Sequence, residues 1–222
     1  MATASHEPGT ERLTAFSDGV IAIAITLLIL PLAEIEVPAG AGAADILSEN
    51  LPALAAFTLS FAVIGNYWSI HHALWRPVRR HTPALVRLNL VWLACIVFLP
   101  FPTALIANRL DGGFATLYIA TLLAASTLTV VITVYLTRHP ELTDTAGAAE
   151  VRRHVPSSSA AAAALLVALL LSLLSQGLGM YALLLLVPAQ VLGDRRSRRA
   201  ASRTAVPGPG TSGPARREKR ES

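Results

Sequence analysis

The sequence has 222 residues, of which 53% are apolar and only 14% are charged, and its formal net charge is +4. Soluble domains usually carry about 25% charged residues, so this composition excludes an ordinary water-soluble domain. The apolar residues form long runs, which is typical of helices that cross the roughly 30 Å hydrocarbon core of a membrane. The single cysteine, Cys95, excludes a disulfide within the chain and is expected to be a small packing residue.

Six apolar segments predict an all-α, polytopic membrane protein with six transmembrane helices in residues 12–192, after a short N-terminal stretch, residues 1–11. The predicted helices are 12–32, 52–75, 84–107, 113–137, 157–175 and 178–192. A tight turn at 175–177 is expected to separate the last two, and one long kinked helix is the alternative. Residues 193–222 are rich in Arg, Pro, Gly and Ser, which predicts a disordered basic tail.

Basic residues are distributed unequally between the two sides of this predicted bundle. With six helices both termini lie on one side, which then holds 17 of the 18 Lys and Arg residues, Arg109 being the exception. Because such residues accumulate in cytoplasmic loops, both termini are predicted to be cytoplasmic. The basic tail is expected either to bind anionic lipid headgroups or only to fix the orientation, and nucleic-acid binding is not expected.

An acidic residue, Asp18, lies inside the first predicted helix, where a charge costs about 3 kcal/mol or more and needs a partner or water. Helix direction places Ser17, His71, His72, Arg87 and Asn89 at the same depth as Asp18. A hydrogen-bonded network that joins the first three helices is therefore expected. A proton relay through Asp18 and the histidines is the functional alternative, since both residue types can titrate. A metal site at His71-His72 is not expected, because adjacent helical residues point about 100° apart.

Four residues of the first predicted helix share one stripe at about 100° per residue: Ile23, Thr26, Leu27 and Leu30. Arg12, Phe16 and Gly19 extend the stripe toward the N-terminus, whereas Asp18 lies about 140° away. The pattern leaves open whether the stripe faces a symmetry axis, another helix or lipid.

The loop after the first helix is acidic, with Glu34, Glu36, Asp45 and Glu49 and no basic residue. In a symmetric oligomer these residues would surround a pore mouth and raise the local concentration of cations. An ordinary solvated loop is the alternative.

Three stretches resemble one known family. The segment from Arg12 to Leu28, which contains Phe16-Ser17-Asp18-Gly19, resembles the first helix of the bacterial branch of the lysosomal potassium channel family (transmembrane protein 175). Trp68-Ser69-Ile70-His71-His72 resembles the second helix of that family, and Asn89 with Leu99-Pro100-Phe101-Pro102-Thr103 resembles the third. The resemblance covers about residues 11–192, but in the last two helices it is only hydrophobic.

The resemblance implies a potassium-selective channel of the plasma membrane, in which four copies assemble and the first helices line the pore, without a carbonyl selectivity loop. It implies an apolar constriction at Ile23, Leu27 and Leu30 and a potassium-preferring hydroxyl layer at Thr26. K⁺ is then the permeant ion, and no cofactor is expected. The expected supporting network comprises Arg12, Phe16, Ser17, Asp18, Trp68, His71, His72 and Asn89.

Two other functions stay open at this point. A proton-coupled secondary transporter would use Asp18, His71 and His72, and a scaffold would not conduct at all. An enzyme is not expected, because no nucleophile–base pair or metal-binding set occurs at any single depth.

Overall fold

Helices make up most of the computed structural model, which describes residues 8–108 and 112–174. The helices are α1 (Pro8–Leu27), α2 (Leu30–Ala33), α3 (Ala43–Glu49), α4 (Leu51–Trp75), α5 (Pro83–Phe98), α6 (Pro100–Asn108), α7 (Gly112–Arg138) and α8 (Thr145–Leu174), with a 3₁₀ turn at Pro140–Leu142. This confirms the prediction of an all-α, polytopic membrane protein.

Five helical spans in the described residues are long and apolar enough to cross a membrane: Gly9–Ala33, Leu51–Trp75, Pro83–Asn108, Gly113–Arg138 and Gly147–Leu174. The second, third and fourth agree with the predicted helices to within one residue at each end. The predicted sixth helix at 178–192, the turn at 175–177 and the tail at 193–222 lie outside the described residues.

The first span, predicted at 12–32, extends over Gly9–Ala33 and contains a turn at Leu28 and Ile29. Pro31 has no backbone N–H and cannot donate to the carbonyl of Leu27, four residues earlier. The N–H groups of Leu28 and Ile29 bond instead to carbonyls three residues earlier, at 3.3 and 3.4 Å. The chain therefore makes a tighter turn at these two residues before α2 begins.

The third span consists of α5 and α6, which meet at Leu99. Pro100 cannot donate to the carbonyl of Ile96, and the N–H of Leu99 bonds to that carbonyl instead, at 3.2 Å. The span is therefore kinked at this point while it remains continuous in length.

Helix α8 begins at Thr145, twelve residues before the predicted start at 157, so residues 145–156 are helical where the sequence predicted a connection between two helices. Asp144 caps this helix: its Oδ1 accepts from the N–H of Gly147 at 2.6 Å, and its carbonyl accepts from Ala148 at 2.9 Å. Pro156 lies within the helix, and the hydroxyls of the next three residues donate to the carbonyls of His154 and Val155. Helix α8 thus continues past a residue that normally breaks helices.

The two interhelical loops on one side of the bundle are joined to each other. Val78 and Thr143 form an antiparallel β-bridge. The N–H of Arg79 donates to Leu142 at 2.8 Å, and Arg79 pairs with Asp144 at 2.7 Å. We call this side, which also holds the first turn of α1, the basic end. The opposite side, with the loop that joins α2 to α4, is called the acidic end.

Buried hydroxyl groups tie α4 to the third and fourth spans. Ser60 contacts the hydroxyls of Thr103 at 2.8 Å and Tyr118 at 3.1 Å. Tyr67 contacts Ser126 at 2.7 Å and donates to the carbonyl of Leu122 at 3.0 Å. Lipid tails provide little hydrophobic force between helices, so such bonds, at about 0.6 kcal/mol each, help to hold a membrane bundle together.

Candidate functional site

Helix α1 has a buried face and an open face. Ser17, Ile21, Ala24 and Leu28 are each at most 2% exposed and pack into the bundle. On the opposite side lies the stripe singled out in the sequence: Phe16 is 53% exposed, Ile23 61%, Leu27 38% and Leu30 49%. Gly19 and Thr26 are exposed on the same side. In a single copy of the chain this largely apolar stripe has no covering element among the described residues.

The Thr26 hydroxyl is oriented by its own helix. Its Oγ1 donates to the carbonyl of Ile23 at 2.8 Å. Because this bond uses the only hydroxyl hydrogen, the remaining lone pairs of the oxygen are available to accept or to coordinate a cation. Thr26 therefore presents an oxygen ligand on the open face of α1.

Three side chains join the buried face of α1 to α5 and α4. Ser17 donates to the Leu13 carbonyl at 2.9 Å, so its oxygen accepts from Asn89 Nδ2, at 2.8 Å. The Asn89 Oδ1 is then left to face His71 Nε2, at 2.9 Å. Because Asn89 Oδ1 can only accept, His71 must carry its hydrogen on Nε2. The hydrogen bonds thus run in one direction, from α4 through α5 to α1.

Asp18 has a separate partner on α4. Trp68 Nε1 donates to Asp18 Oδ1 at 2.9 Å, and the Trp68 ring lies 5.6 Å from that of His72. Asp18 therefore lies beside the buried hydrogen bonds that join His71, Asn89 and Ser17, and it does not lie on the open stripe. The second histidine, His72, is exposed and contacts this pair only through its ring.

Arg12 and Phe16 are not part of these contacts. Both are exposed on the side of the open stripe, and neither makes a hydrogen bond or ion pair with any residue in the described part of the chain. Arg87, which the sequence places at the same depth as Asp18, is likewise exposed on α5.

Two aromatic side chains complete the surroundings of His71, and neither belongs to the network predicted from the sequence. Its ring stacks on Trp92 at 4.6 Å and on Trp75 at 5.4 Å. Trp92 Nε1 in turn donates to Thr129 Oγ1 on α7, at 3.0 Å. The spacing of Asn89 and Trp92, three residues apart on one helix, places both on one face and could have indicated Trp92. No comparable signal marks Thr129.

The acidic residues surround a groove at the acidic end. Glu34, Glu36, Asp45 and Glu49 are all exposed. The groove, of about 780 Å³, has Leu27 and Leu30 on one wall and residues of the third span on the other, and three of the four acidic residues line it. Asp45 does not line it: its Oδ2 accepts from Gly42 N at 3.3 Å, at the start of α3. Within the described residues no group of three His, Cys, Asp or Glu side chains could hold a metal ion.

Comparison with known proteins identifies relatives of the first three spans. Residues 12–100 match the family described as "Endosomal/lysosomal potassium channel TMEM175". A potassium channel of Streptomyces collinus is 45% identical over 45% of this chain and 48% of the relative. A potassium channel of Chamaesiphon minutus is 42% identical over 50% of this chain and 55% of the relative. The human endosomal/lysosomal proton channel TMEM175 is 41% identical over 43% of this chain and 21% of its own length. The chain thus spans about half the length of the bacterial relatives it matches.

Solved structures extend the similarity to the whole bundle. The crystal structure of a lysosomal potassium-selective channel TMEM175 homolog from Chamaesiphon minutus superposes with a TM-score of 0.70. It is 30% identical, over 84% of this chain and 98% of that one. The structure of a variant of the potassium channel MtTMEM175, which covers 85% of this chain and 93% of that one, has a TM-score of 0.60 at 15% identity and supports the fold alone. By sequence and by fold, the chain belongs to the TMEM175 family.

Proposed function

We propose that this chain is the subunit of a potassium-selective channel in which the open faces of four α1 helices surround the ion path. The observation that carries the proposal is the two-faced burial of α1. One face is at most 2% exposed, whereas the apolar stripe opposite is open in a single copy and includes Ile23 at 61% exposure. An exposed apolar stripe beside a hydroxyl oxygen suits a pore better than a lipid contact. The relatives named as potassium channels, and the TMEM175 fold, support this choice.

Ile23, Leu27 and Leu30 form the proposed apolar constriction. Four isoleucine side chains around an axis exclude water when they are close together, and an ion there loses its hydration without gaining ligands. Conduction therefore requires the ring to widen. The interruption at Leu28–Ile29 leaves Leu30 on a different helical segment, so Ile23 and Leu27 are the better candidates for one rigid ring.

Thr26 is the proposed selectivity layer. Four hydroxyl oxygens, each with its hydrogen already donated to Ile23, would offer lone pairs to a partly dehydrated K⁺. Four oxygens are fewer ligands than stacked carbonyl rings provide, so moderate selectivity is expected.

The supporting contacts have a mechanical role in this proposal. Two sets of hydrogen bonds fix the rotation of α1 about its own axis. One runs from His71 through Asn89 to Ser17, and the other joins Trp68 to Asp18. A rotated α1 would present the wrong face to the ion. These hydrogen bonds do not include His72, Arg12 or Phe16. Arg12 and Phe16 lie at the basic end of the stripe.

The proposed setting is the cell membrane, with the basic end in the cytoplasm. Arginines concentrate at that end, and the acidic residues of the opposite loop would attract cations to the outer mouth. K⁺ is the permeant ion, and no other cofactor enters the proposal. Binding of anionic lipid by the tail at 193–222 stays a prediction.

The test is ion flux from liposomes that contain the purified protein. Ile23→Ala should increase K⁺ flux severalfold, because a shorter side chain lets water wet the constriction. Thr26→Ala should lower the preference for K⁺ over Na⁺ with little change in protein yield. Val131→Ala, at an exposed position of α7, is the matched control and should change neither quantity. Flux that is absent, or indifferent to both α1 changes, would contradict the pore assignment.

Proton transport is the second candidate, favoured by the vertebrate relatives named as proton channels and by the titratable pair Asp18 and His71. It predicts proton flux that a pH-sensitive dye inside the liposomes would detect without K⁺ in the buffer. Proton flux abolished by Asp18→Asn, with K⁺ flux absent, would select this alternative.

A further inference from the structure

Helix α8 presents two arginines on its open face. Its buried face is formed by Val151, Leu165 and Ala168, each 1% exposed. Arg152 and Arg153 are exposed and point more than about 100° away from that face. Further along the same open side, Val167 and Leu170 are 56% and 53% exposed. One side of α8 therefore carries positive charge at one end and apolar surface at the other.

The charge on these two arginines is not compensated within the described residues. The neighbouring arginines at the basic end are paired: Arg76 with Glu150 at 2.9 Å, and Arg79 with Asp144 at 2.7 Å. Both oxygens of Glu150 already accept from Arg76, at 3.1 and 2.9 Å. Arg152 and Arg153 have no hydrogen bond or ion pair in the part of the chain that the structure describes. No described residue therefore competes with an external anion for their guanidinium groups.

The sequence of α8 indicates the depth of the pair. Positions 155–174 contain no charged residue, and all of them are helical. At about 1.5 Å per residue these positions cover about 30 Å, enough to cross the hydrocarbon core. Arg152 and Arg153 lie on the N-terminal side of this stretch, separated from it by His154. We therefore expect the two guanidinium groups near the level of the lipid phosphates.

The part of α8 that follows the arginines carries mostly small side chains. Residues 156–164 are one proline, three serines and five alanines. The serine hydroxyls donate to carbonyls of their own helix, so they present little unsatisfied polarity. Ala160 and Ala163 are exposed on this side. Such a surface allows an acyl chain to approach the helix backbone closely.

We propose that Arg152, Arg153 and the small-residue surface beyond them bind one anionic phospholipid of the phosphatidylglycerol type. The phosphate accepts charge-assisted hydrogen bonds from the guanidinium groups, and the acyl chains lie along Ala160 and Ala163 toward Val167. The site is independent of the proposed pore, because it lies on α8 and does not involve α1.

The test measures lipid retention by the full chain in detergent, with native mass spectrometry and titrated phosphatidylglycerol or phosphatidylcholine. The wild type should retain phosphatidylglycerol preferentially. Arg152→Gln/Arg153→Gln should weaken phosphatidylglycerol binding by about 10- to 30-fold, the loss expected from two basic residues near a lipid surface. Arg12→Gln/Arg87→Gln removes the same charge at exposed positions elsewhere and should have a much smaller effect.

Further arms decide between other occupants. Ala160→Trp/Ala163→Trp leaves both arginines in place and should also weaken retention, because it blocks the acyl surface; it serves as the second variant if the arginine variant fails to fold. Displacement of the lipid by excess inorganic phosphate would identify a simple anion site and overturn the proposal. Equal losses in the two arginine variants, or no preference in the wild type because another part of the chain covers α8, would also overturn it. None of these readouts depends on ion flux.

Discussion

At the scale of residues, the direction of the hydrogen bonds places two demands on the side chain of Asn89. Its amide must donate to Ser17 and accept from His71 at the same time, because the hydroxyl hydrogen of Ser17 is already used by Leu13. Asp can only accept when ionised, and Leu can do neither. Asn89 is 0% exposed, so lost bonds are not replaced by water.

Asn89→Leu should therefore lower the free energy of unfolding by about 1–3 kcal/mol, the cost of leaving buried polar partners unsatisfied. Thermal unfolding in detergent, followed by tryptophan fluorescence, measures the change. Leu90→Ala, at the neighbouring 45% exposed position, should have a smaller effect. If Asn89→Leu is as stable as the wild type, the proposed hydrogen bonds from His71 through Asn89 to Ser17 do not contribute as described.

Asp18 is expected to act on assembly more than on ion preference. Asp18→Ala removes the acceptor for Trp68 Nε1, whereas Asp18→Asn retains an oxygen at the same place. Asp18→Ala should therefore reduce the yield of assembled protein in size-exclusion chromatography, and Asp18→Asn should largely restore it. Normal assembly of Asp18→Ala with altered K⁺ preference in liposomes would show that the carboxylate meets the ion.

At the scale of elements, the hydrophobic runs predicted the bounds of most membrane spans but not the places where the helices are interrupted. The middle three spans follow the predicted bounds closely, because run length is set by membrane thickness. The break in the first span depends on Pro31, which was visible in the sequence but lies near the end of a strongly apolar run. The early start of α8 depends on the cap by Asp144 and on the contact between two loops, and neither is encoded in hydropathy.

The contact between the two basic-end loops depends on a glycine at position 147. A Cβ there would overlap the Cβ of Pro77, so any side chain would push the loops apart. Gly147→Ala should destabilise the protein by about 1–3 kcal/mol in thermal unfolding, as overpacked sites do. Gly65→Ala is the matched control within α4, because nothing lies within 4 Å of its Cβ position. Equal midpoints for the two variants would contradict the close packing.

The candidate site was predictable only in part. Helical periodicity placed Ile23 and Thr26 on one stripe and Asp18 off it, and the structure has the same arrangement. Periodicity alone could not decide what the stripe faces, because an axis, a helix and lipid all accept apolar residues. The ring stack of His71 between Trp75 and Trp92 arises from packing between α4 and α5, which no local pattern in the sequence specifies.

At the scale of the whole molecule, the open stripe of α1 is the surface on which the proposed assembly of four copies rests. Among the described residues, α4 and α5 pack against the buried face of α1, and the stripe opposite is exposed in a single copy. Because the stripe includes Thr26 and borders an acidic groove, symmetric copies around water account for it better than lipid does.

The purified protein should therefore have four times the mass of one chain when light scattering is combined with size-exclusion chromatography. Ile23→Glu introduces four charges close to one axis and should shift the population toward smaller species. Val131→Glu adds the same charge at an exposed position of α7 and should leave the assembly unchanged. A monomer in both the wild type and the variants would exclude the tetrameric pore.

The two ends of α1 are held differently. At the basic end Thr10 is 2% exposed, donates to the carbonyl of Arg79 and contacts His81, within the loops that are joined to each other. At the acidic end the helix stops at Leu27, and the next two N–H groups bond to carbonyls three residues earlier, at 3.3 and 3.4 Å. Helix α1 is thus held by side-chain contacts at its N-terminal end, whereas at its C-terminal end it is followed by the turn at Leu28 and Ile29. Outward bending would displace Leu27 most and Phe16 least, so the proposed constriction would open from its outer end.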